Sequence, residues 1–494
     1  MVFIPERRNR PIATVTIAGA LLAALAAGWL APTPARAQAP PPTPRRVTVK
    51  RSSPPPPAPA PEPAPTASDL APTKPTPEAR RILVRDQSGR TLVSRVHGGS
   101  GDELHVMLPD GQLGMPDGLA YTDEKFVPAT AREVATELLA GPFAGYKLKM
   151  TSHYIIAYQC TDAFAEASSR VLEDLYKSLF DAFKKRGFPV HEAEFPLVAV
   201  IFKNEKDFRA FRKIDPQVRA YYEIYTNRIF FYEASEADEA APEIAALRRP
   251  QTVAHEGTHQ ILSNIGIQPR LAAWPPWLIE GLAEYCASPV TTRRGTNWSV
   301  LGAVNTQHIA TLKDLADPLA LQVRGAPPAG HIGRAPDQPL VEYLVTKTDL
   351  TPTDYALCWA LTHYLGMKRV DDFVPFLKTM SEMPPLEKRT PEDHLNAFRA
   401  AFGSDLQKLG RDVDKYLGKL KATNPLPYYA VMFQQRVPGN QVKRAAMVSQ
   451  SPSLIRQWLE TSTTPTGDLP AWQAISFKTR TPAVAAAEAF VRGQ

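Results

Sequence analysis

The sequence predicts an α+β fold: a small all-β module, then a larger domain with a small mixed sheet and two adjacent helices, then a mostly helical subdomain. Three observations predict it. Short β-like runs broken by turn residues fill 80–126, strand-like runs alternate with helical spacing over 153–234, and from about 352 apolar residues recur mainly at the helical period. The division read from these is 1–37 signal peptide, 38–79 linker, 80–128 β module, 129–425 main domain and 426–494 C-terminal α/β extension.

Residues 12–31 carry no charge, follow Arg7, Arg8 and Arg10, and lead to Ala35-Arg36-Ala37, the small-x-small pattern of a signal-peptidase site. An uncleaved membrane anchor is the alternative, because about 20 apolar residues just span a bilayer. Both readings export the remainder, to the periplasm, the cell envelope or the medium. Residues 32–77 hold 17 of the 49 prolines, and such a segment stays extended and buries no core. It reads as a spacer that holds the folded part away from a membrane or wall layer to which the N-terminal segment attaches the chain. The formal net charge of +7 includes +3 from residues 1–37, which leaves about +4 on the rest. That excess is too mild to imply a nucleic-acid partner. Three cysteines, Cys160, Cys286 and Cys358, are too few for a disulfide scaffold. They form either one bridge and a free thiol or three buried small side chains.

In the β module, ILV (82–84) and TLVSRV (91–96) flank a hairpin-like Gln87-Ser88-Gly89-Arg90, and LHVML (104–108) precedes the turn Pro109-Asp110-Gly111. Its size suggests an SH3-like unit. The main domain is read as strand 153–158, helix 162–186 ending at Gly187, strand 196–202, helix 204–213 and strand 228–234. Helices then follow at 250–264, 276–287, 352–368, 370–382, 391–402 and 404–421, and the extension has one strand, YYAVMFQQRV, and two helices.

The chemistry is concentrated in His255-Glu256-Gly257-Thr258-His259, an H-E-x-x-H sequence. On a helix its two histidines lie one turn apart on one face and can reach one cation, with Glu256 placed to take a proton from metal-activated water. Pro250 suits the first turn of that helix, and Gly266 follows its end. A catalytic zinc needs a third protein ligand. Pro276 can open a second helix on which Glu280 and Glu284 share a face at i, i+4, and 20 residues separate His259 from Glu280, enough to fold back. One of these glutamates is read as the ligand, Glu280 in preference to Glu284. The other is then the companion that orients a histidine ligand.

These residues resemble those of the gluzincin zinc metallopeptidases, the group containing thermolysin and the large zinc aminopeptidases. The likeness is greatest to an uncharacterised family of exported bacterial proteins with a peptidase MA-like domain, and it covers roughly 129–425. Ile279-Glu280-Gly281-Leu282-Ala283 is similar to the aminopeptidase N-E-G-F-A segment, whose glutamate binds zinc; this implies a zincin-like domain with Zn2+ on His255, His259 and Glu280. Tyr355 to Leu365 resembles the aminopeptidase helix whose first tyrosine hydrogen-bonds the oxyanion, which makes Tyr355 the candidate, with His363 and Tyr364 as lesser ones. The aminopeptidase amine-binding G-x-M-E-N motif has no counterpart in Tyr221-Tyr222-Glu223-Ile224-Tyr225-Thr226-Asn227-Arg228, so aminopeptidase specificity is not implied. The run 228–234 is read as the strand that edges the cleft and to which an extended peptide adds.

The resemblance therefore implies a zinc metallopeptidase acting on peptide or protein substrates, with Glu256 as general base and Glu284 supporting a histidine. The alternative is a catalytically silent zincin-fold binding or scaffold protein of the cell envelope. Retention of Glu256 favours the enzyme, because a scaffold has no chemical need for a base.

Overall fold

The computed structural model describes Arg46–Val47 and residues 80–493, apart from internal stretches of which 317–336 is the longest. The expected signal peptide and all but two residues of the expected linker lie outside the described residues. No helix among those described is long and apolar enough to cross a membrane.

The fold is α+β, with an all-β region ahead of it. β1 (Arg46–Val47), β2 (Arg81–Arg85), β3 (Thr91–Ser100), β4 (Glu103–Met107) and β5 (Leu113–Pro116) form one sheet in the order β1-β5-β4-β3-β2. β2 to β5 run as an antiparallel meander over Ile82, Val84, Val96, Leu104 and Val106. β3 continues beyond the predicted run through a register shift between Val96 and Gly98.

The central sheet contains β6 (Lys147–Met150), β7 (Tyr154–Tyr158), β8 (Leu197–Asn204), β9 (Ala220–Glu223) and β10 (Arg228–Ala234), in the order β6-β7-β8-β10-β9. β7, β8 and β10 are mutually parallel, and β6 and β9 are antiparallel to their neighbours. The strand period sorts its side chains. Ile156, Ala199, Ile201, Ile229 and Phe231 join the main core, while Ile155, Val198, Val200, Phe202 and Phe230 pack on the opposite side. α1 (Ala131–Ala140) and α3 (Glu205–Phe211) cover that second side. α2 (Asp162–Lys185) covers the first, with Thr161 capping its start and Gly187 at φ 73° beyond its end. α1 was not predicted, although Thr130 and Glu133 form its capping box.

One expectation about this sheet is corrected. The strand at 228–234 is not an edge: β10 is paired on both sides, by β8 and β9, and the edge belongs to β9. The short AYYE run has too little apolar alternation to announce itself as a strand.

α4 (Pro242–Leu262) and α5 (Pro276–Ala287) follow. α4 starts eight residues before the predicted point, so Pro250 lies inside the helix rather than in its first turn. Glu243, Ala245, Ala246 and Leu247 are strong helix formers that extend it backwards. The hairpin β11 (Val290–Thr292) and β12 (Gly295–Asn297), α6 (Thr306–Ala316) and α7 (Leu340–Thr346) were unpredicted; α8 (Asp354–Lys368), α9 (Val370–Ser381), α10 (Pro391–Phe402) and α11 (Leu406–Leu417) lie near their expected places.

The extension holds β13 (Tyr428–Val437), β14 (Gln441–Ser449), α12 (Pro452–Thr461), β15 (Trp472–Phe477) and α13 (Arg480–Arg492), with sheet order β14-β13-β15. Two of its strands were missed, because QVKRAAMVS reads equally well as helix. Here Ala445 and Met447 face α12, while Ala446 and Val448 face Ala483 and Ala487 of α13. The three cysteines are free and buried, which removes the expected alternative of a bridge. Burial pushes the Cys160 and Cys286 thiols up to about 12, so neither is a ready nucleophile.

The β module is held firmly to the main domain. Leu113 N–H donates to Tyr225 O at 2.7 Å, Arg270 Nη1 donates to Gly111 O at 2.9 Å, and His97 Nε2 donates to Arg270 O at 2.9 Å. Burial, then the Arg270 charge, lowers His97 to about 3. The unfolded chain therefore binds a proton that the folded one refuses between about pH 6.5 and 3, and stability falls as pH falls through that window. The expected loss is about 1.4 kcal/mol per pH unit relative to His97→Gln, which keeps a donor and cannot titrate. Urea unfolding of both proteins across pH 4–7 checks this; parallel slopes would show that His97 is not the source.

Candidate metal centre

Helical register on α4 sets His255 and His259 one turn apart, and their Nε2 atoms face each other at 3.1 Å. Both side chains are buried, as is Glu256 between them in sequence. α5 lies against α4 and brings Glu280 Oε2 to 3.1 Å from His255 Nε2 and 3.6 Å from His259 Nε2. These three residues form a cluster able to hold a metal ion.

The donor set fits zinc. Bonds of about 2.0–2.1 Å in a tetrahedron place ligand atoms about 3.3–3.4 Å apart, which the 3.1, 3.1 and 3.6 Å separations bracket. Two imidazole nitrogens and one carboxylate oxygen are donors that zinc accepts. His255 Nδ1 meets Glu284 Oε1 at 3.2 Å, so the ring donates there and turns its Nε2 lone pair toward the cluster. Of the two glutamates, Glu280 reaches the Nε2 pair and Glu284 reaches the far side of the His255 ring.

α5 can lie where it does because of Gly281. A β-carbon there would clash with Thr362 Oγ1 and lie 2.8 Å from Cys358 O, both on α8. The glycine next to Glu280 is thus a packing requirement. Pro276 opens α5, and buried Trp277, Leu278, Leu282 and Cys286 anchor it in the core.

Glu256 Oε2 accepts the Tyr222 N–H at 2.7 Å, so the edge strand β9 faces this carboxylate. Burial raises Glu256 above the usual carboxylate range, although the neighbouring histidines oppose the shift. Burial also pushes Glu280 and Glu284 upward but is outweighed: His259 and His255 bring Glu280 below its ordinary value, and His308 and His255 do the same for Glu284. Environment therefore separates one proton-seeking carboxylate from two anionic ones.

Tyr355 lies buried in the first turn of α8. Burial, followed by the nearby Glu280 charge, raises its hydroxyl well above the ordinary value, so it stays a donor. The lesser candidates lie elsewhere. His363 Nε2 meets Gly302 O at 3.0 Å and its Nδ1 accepts from Tyr416 at 2.9 Å, while Tyr364 packs on the Tyr416 ring. They follow Tyr355 by eight and nine residues on one helix, which carries them away from its first turn.

Sequence reasoning missed His308. It lies on α6, is almost completely buried, and its Nε2 is 2.8 Å from Glu284 Oε2. No motif surrounds it, and only the Asn305 helix cap three residues earlier marked its element.

Residues 250–387 match the family model for a protein of unknown function (DUF1570). The matched span contains His255, Glu256, His259, Glu280, Glu284, His308 and Tyr355, while Tyr222, which donates to Glu256, lies outside it. A search of curated proteins gives no match.

The geometry orders three substitutions. His259→Ala and Glu280→Gln each remove a donor and are expected to abolish tight zinc binding, whereas Glu284→Gln should weaken it by about 10–100-fold. Competition with a chelator, with folding followed by circular dichroism, checks the order. Zinc lost with Glu284→Gln but kept with Glu280→Gln would reverse the assignment.

Proposed function

We propose that this chain is an exported zinc metallopeptidase of the gluzincin type, hydrolysing peptide bonds. The observation that carries the reading is the convergence of His255 Nε2, His259 Nε2 and Glu280 Oε2 beside the buried Glu256 on the same helix. Bound zinc would supply a Lewis acid that makes water nucleophilic near neutral pH and polarises the scissile carbonyl.

The chain's own residues supply the rest. Glu256, raised by burial, takes the proton of the attacking water and hands it to the leaving amine. Glu284 holds His255 in the tautomer whose Nε2 is free to ligate. Tyr355 keeps its proton and donates to the oxyanion as charge develops.

A peptide bound as an added strand would lie along β9. Its Tyr222 N–H is directed at Glu256, and backbone pairing on that edge would bring a carbonyl near the water that Glu256 deprotonates without demanding a particular sequence. Glu223 on the same strand is held by Arg212 at 2.8 and 3.1 Å and is not free to clamp a substrate amine, which supports an endopeptidase over an aminopeptidase.

Glu256→Gln is expected to keep zinc and fold while losing hydrolysis, since an amide cannot accept the proton. Tyr355→Phe should lower kcat by about 10²–10³-fold, the usual effect of removing one oxyanion donor. Digestion of a peptide library by the zinc-loaded chain, followed by mass spectrometry, reads both. Zinc uptake with no cleavage would favour the scaffold instead, and unchanged turnover in Glu256→Gln would rule out Glu256 as the base.

A further inference from the structure

We propose that His308 is a positioning residue of the metal centre, holding the Glu284 carboxylate that in turn orients His255. The inference rests on the metal reading above and extends it to a residue outside the H-E-x-x-H and E-G-L-A segments.

Glu284 is buried, and each of its oxygens meets an imidazole: Oε1 is 3.2 Å from His255 Nδ1 and Oε2 is 2.8 Å from His308 Nε2. A carboxylate has no proton to give, so both rings donate. One donor alone would leave the carboxylate free to turn about its last torsion. Two donors on opposite oxygens hold its plane, and with it the direction of the His255 Nε2 lone pair.

His308 can do this only if α6 is itself immobile, and the contacts around α6 meet that requirement. Asn305 Oδ1 accepts from the backbone N–H of Gln307 at 3.1 Å and of His308 at 3.0 Å, which caps the helix beside the ring. The Trp359 ring of α8 lies against the imidazole, with centroids 5.7 Å apart. At its other end α6 is tied to the extension: Asp314 accepts from Ser449 Oγ and from Gln450 N at 3.0 Å, and Thr311 Oγ1 lies 2.6 Å from Ser451 Oγ. Gln457 of α12 also accepts from Thr353 N at 3.3 Å, two residues before Tyr355. The C-terminal unit thus braces both the helix that carries His308 and the start of the helix that carries Tyr355.

The test compares two substitutions in the full chain. His308→Phe keeps a ring against Trp359 without an N–H, and His308→Gln keeps an N–H near the Nε2 position without a ring. Expected zinc affinity, by chelator competition, is about tenfold weaker for His308→Phe, at the low end of the range for orienting partners, and close to wild type for His308→Gln. The visible spectrum of the cobalt-substituted protein should change in the first and not in the second. Wild-type affinity and spectrum in a folded His308→Phe protein would overturn the role, as would equal weakening in both variants. If His308→Phe does not fold, 15N-histidine spectra of the unmutated protein decide: protected N–H protons are expected at both His255 Nδ1 and His308 Nε2, and absence of the second overturns the proposal. A folded wild-type chain that binds no zinc sinks the metal reading and this inference together, whereas zinc bound normally with His308→Phe unaffected sinks only the inference.

Discussion

Three carboxylates, the buried Glu256 and Glu284 and the largely buried Glu280, lie within one small volume, and the surrounding architecture answers to that fact. An ion removed from water costs several kcal/mol unless partners replace its hydration. Glu280 and Glu284 are supplied with His255, His259 and His308, and stay anionic. Glu256 receives a single backbone N–H from Tyr222, and burial moves it toward the protonated form. Two of the three are therefore stable as anions, and the third is biased toward taking up a proton.

Keeping water out of that volume requires close helix packing. α4 lies over the apolar face of α2, where a β-carbon at Gly257 would lie 2.7 Å from Leu172 Cδ2 and 3.3 Å from Leu175 Cδ2. α5 lies on α8 through Gly281, and Trp277, Trp359, Phe376 and Phe398 fill the space behind it. The glycines of both motifs thus owe their identity to neighbouring helices, while the adjacent charged residues owe theirs to the site.

The flanking units act on the same centre from opposite sides. Leu113 of the β module hydrogen-bonds to the Tyr225 carbonyl in the turn between β9 and β10, the hairpin whose first strand donates to Glu256, and Arg270 of the main domain links the Ile224 carbonyl of that turn to Gly111 O of the module. That turn is also locked to the turn just beyond α4 by a reciprocal amide pair, Asn227 with Asn264, at 2.8 and 2.9 Å. On the other side the extension braces α6 and the start of α8. Among the described residues, neither unit contributes a donor atom to the His255, His259 and Glu280 cluster; each restrains an element that holds one of its neighbours.

The linear sequence determined the α+β class, the two helices of the site, and His255, Glu256, His259 and the Glu280/Glu284 pair. These are local properties: spacing by one helical turn places side chains on one face whatever the rest of the chain does. It also indicated most long amphipathic elements, because their apolar period is set within a dozen residues. Tertiary structure alone decided what depends on partners distant in sequence. The edge strand is β9 because β10 finds a second neighbour; the alanine-rich β14 is a strand because β13 pairs with it; Pro250 stays within α4. Above all, which glutamate meets which nitrogen, and that His308 completes the arrangement, depends on how α4, α5 and α6 cross. A single buried histidine has no sequence signature, since its meaning comes entirely from the carboxylate that packing brings to it.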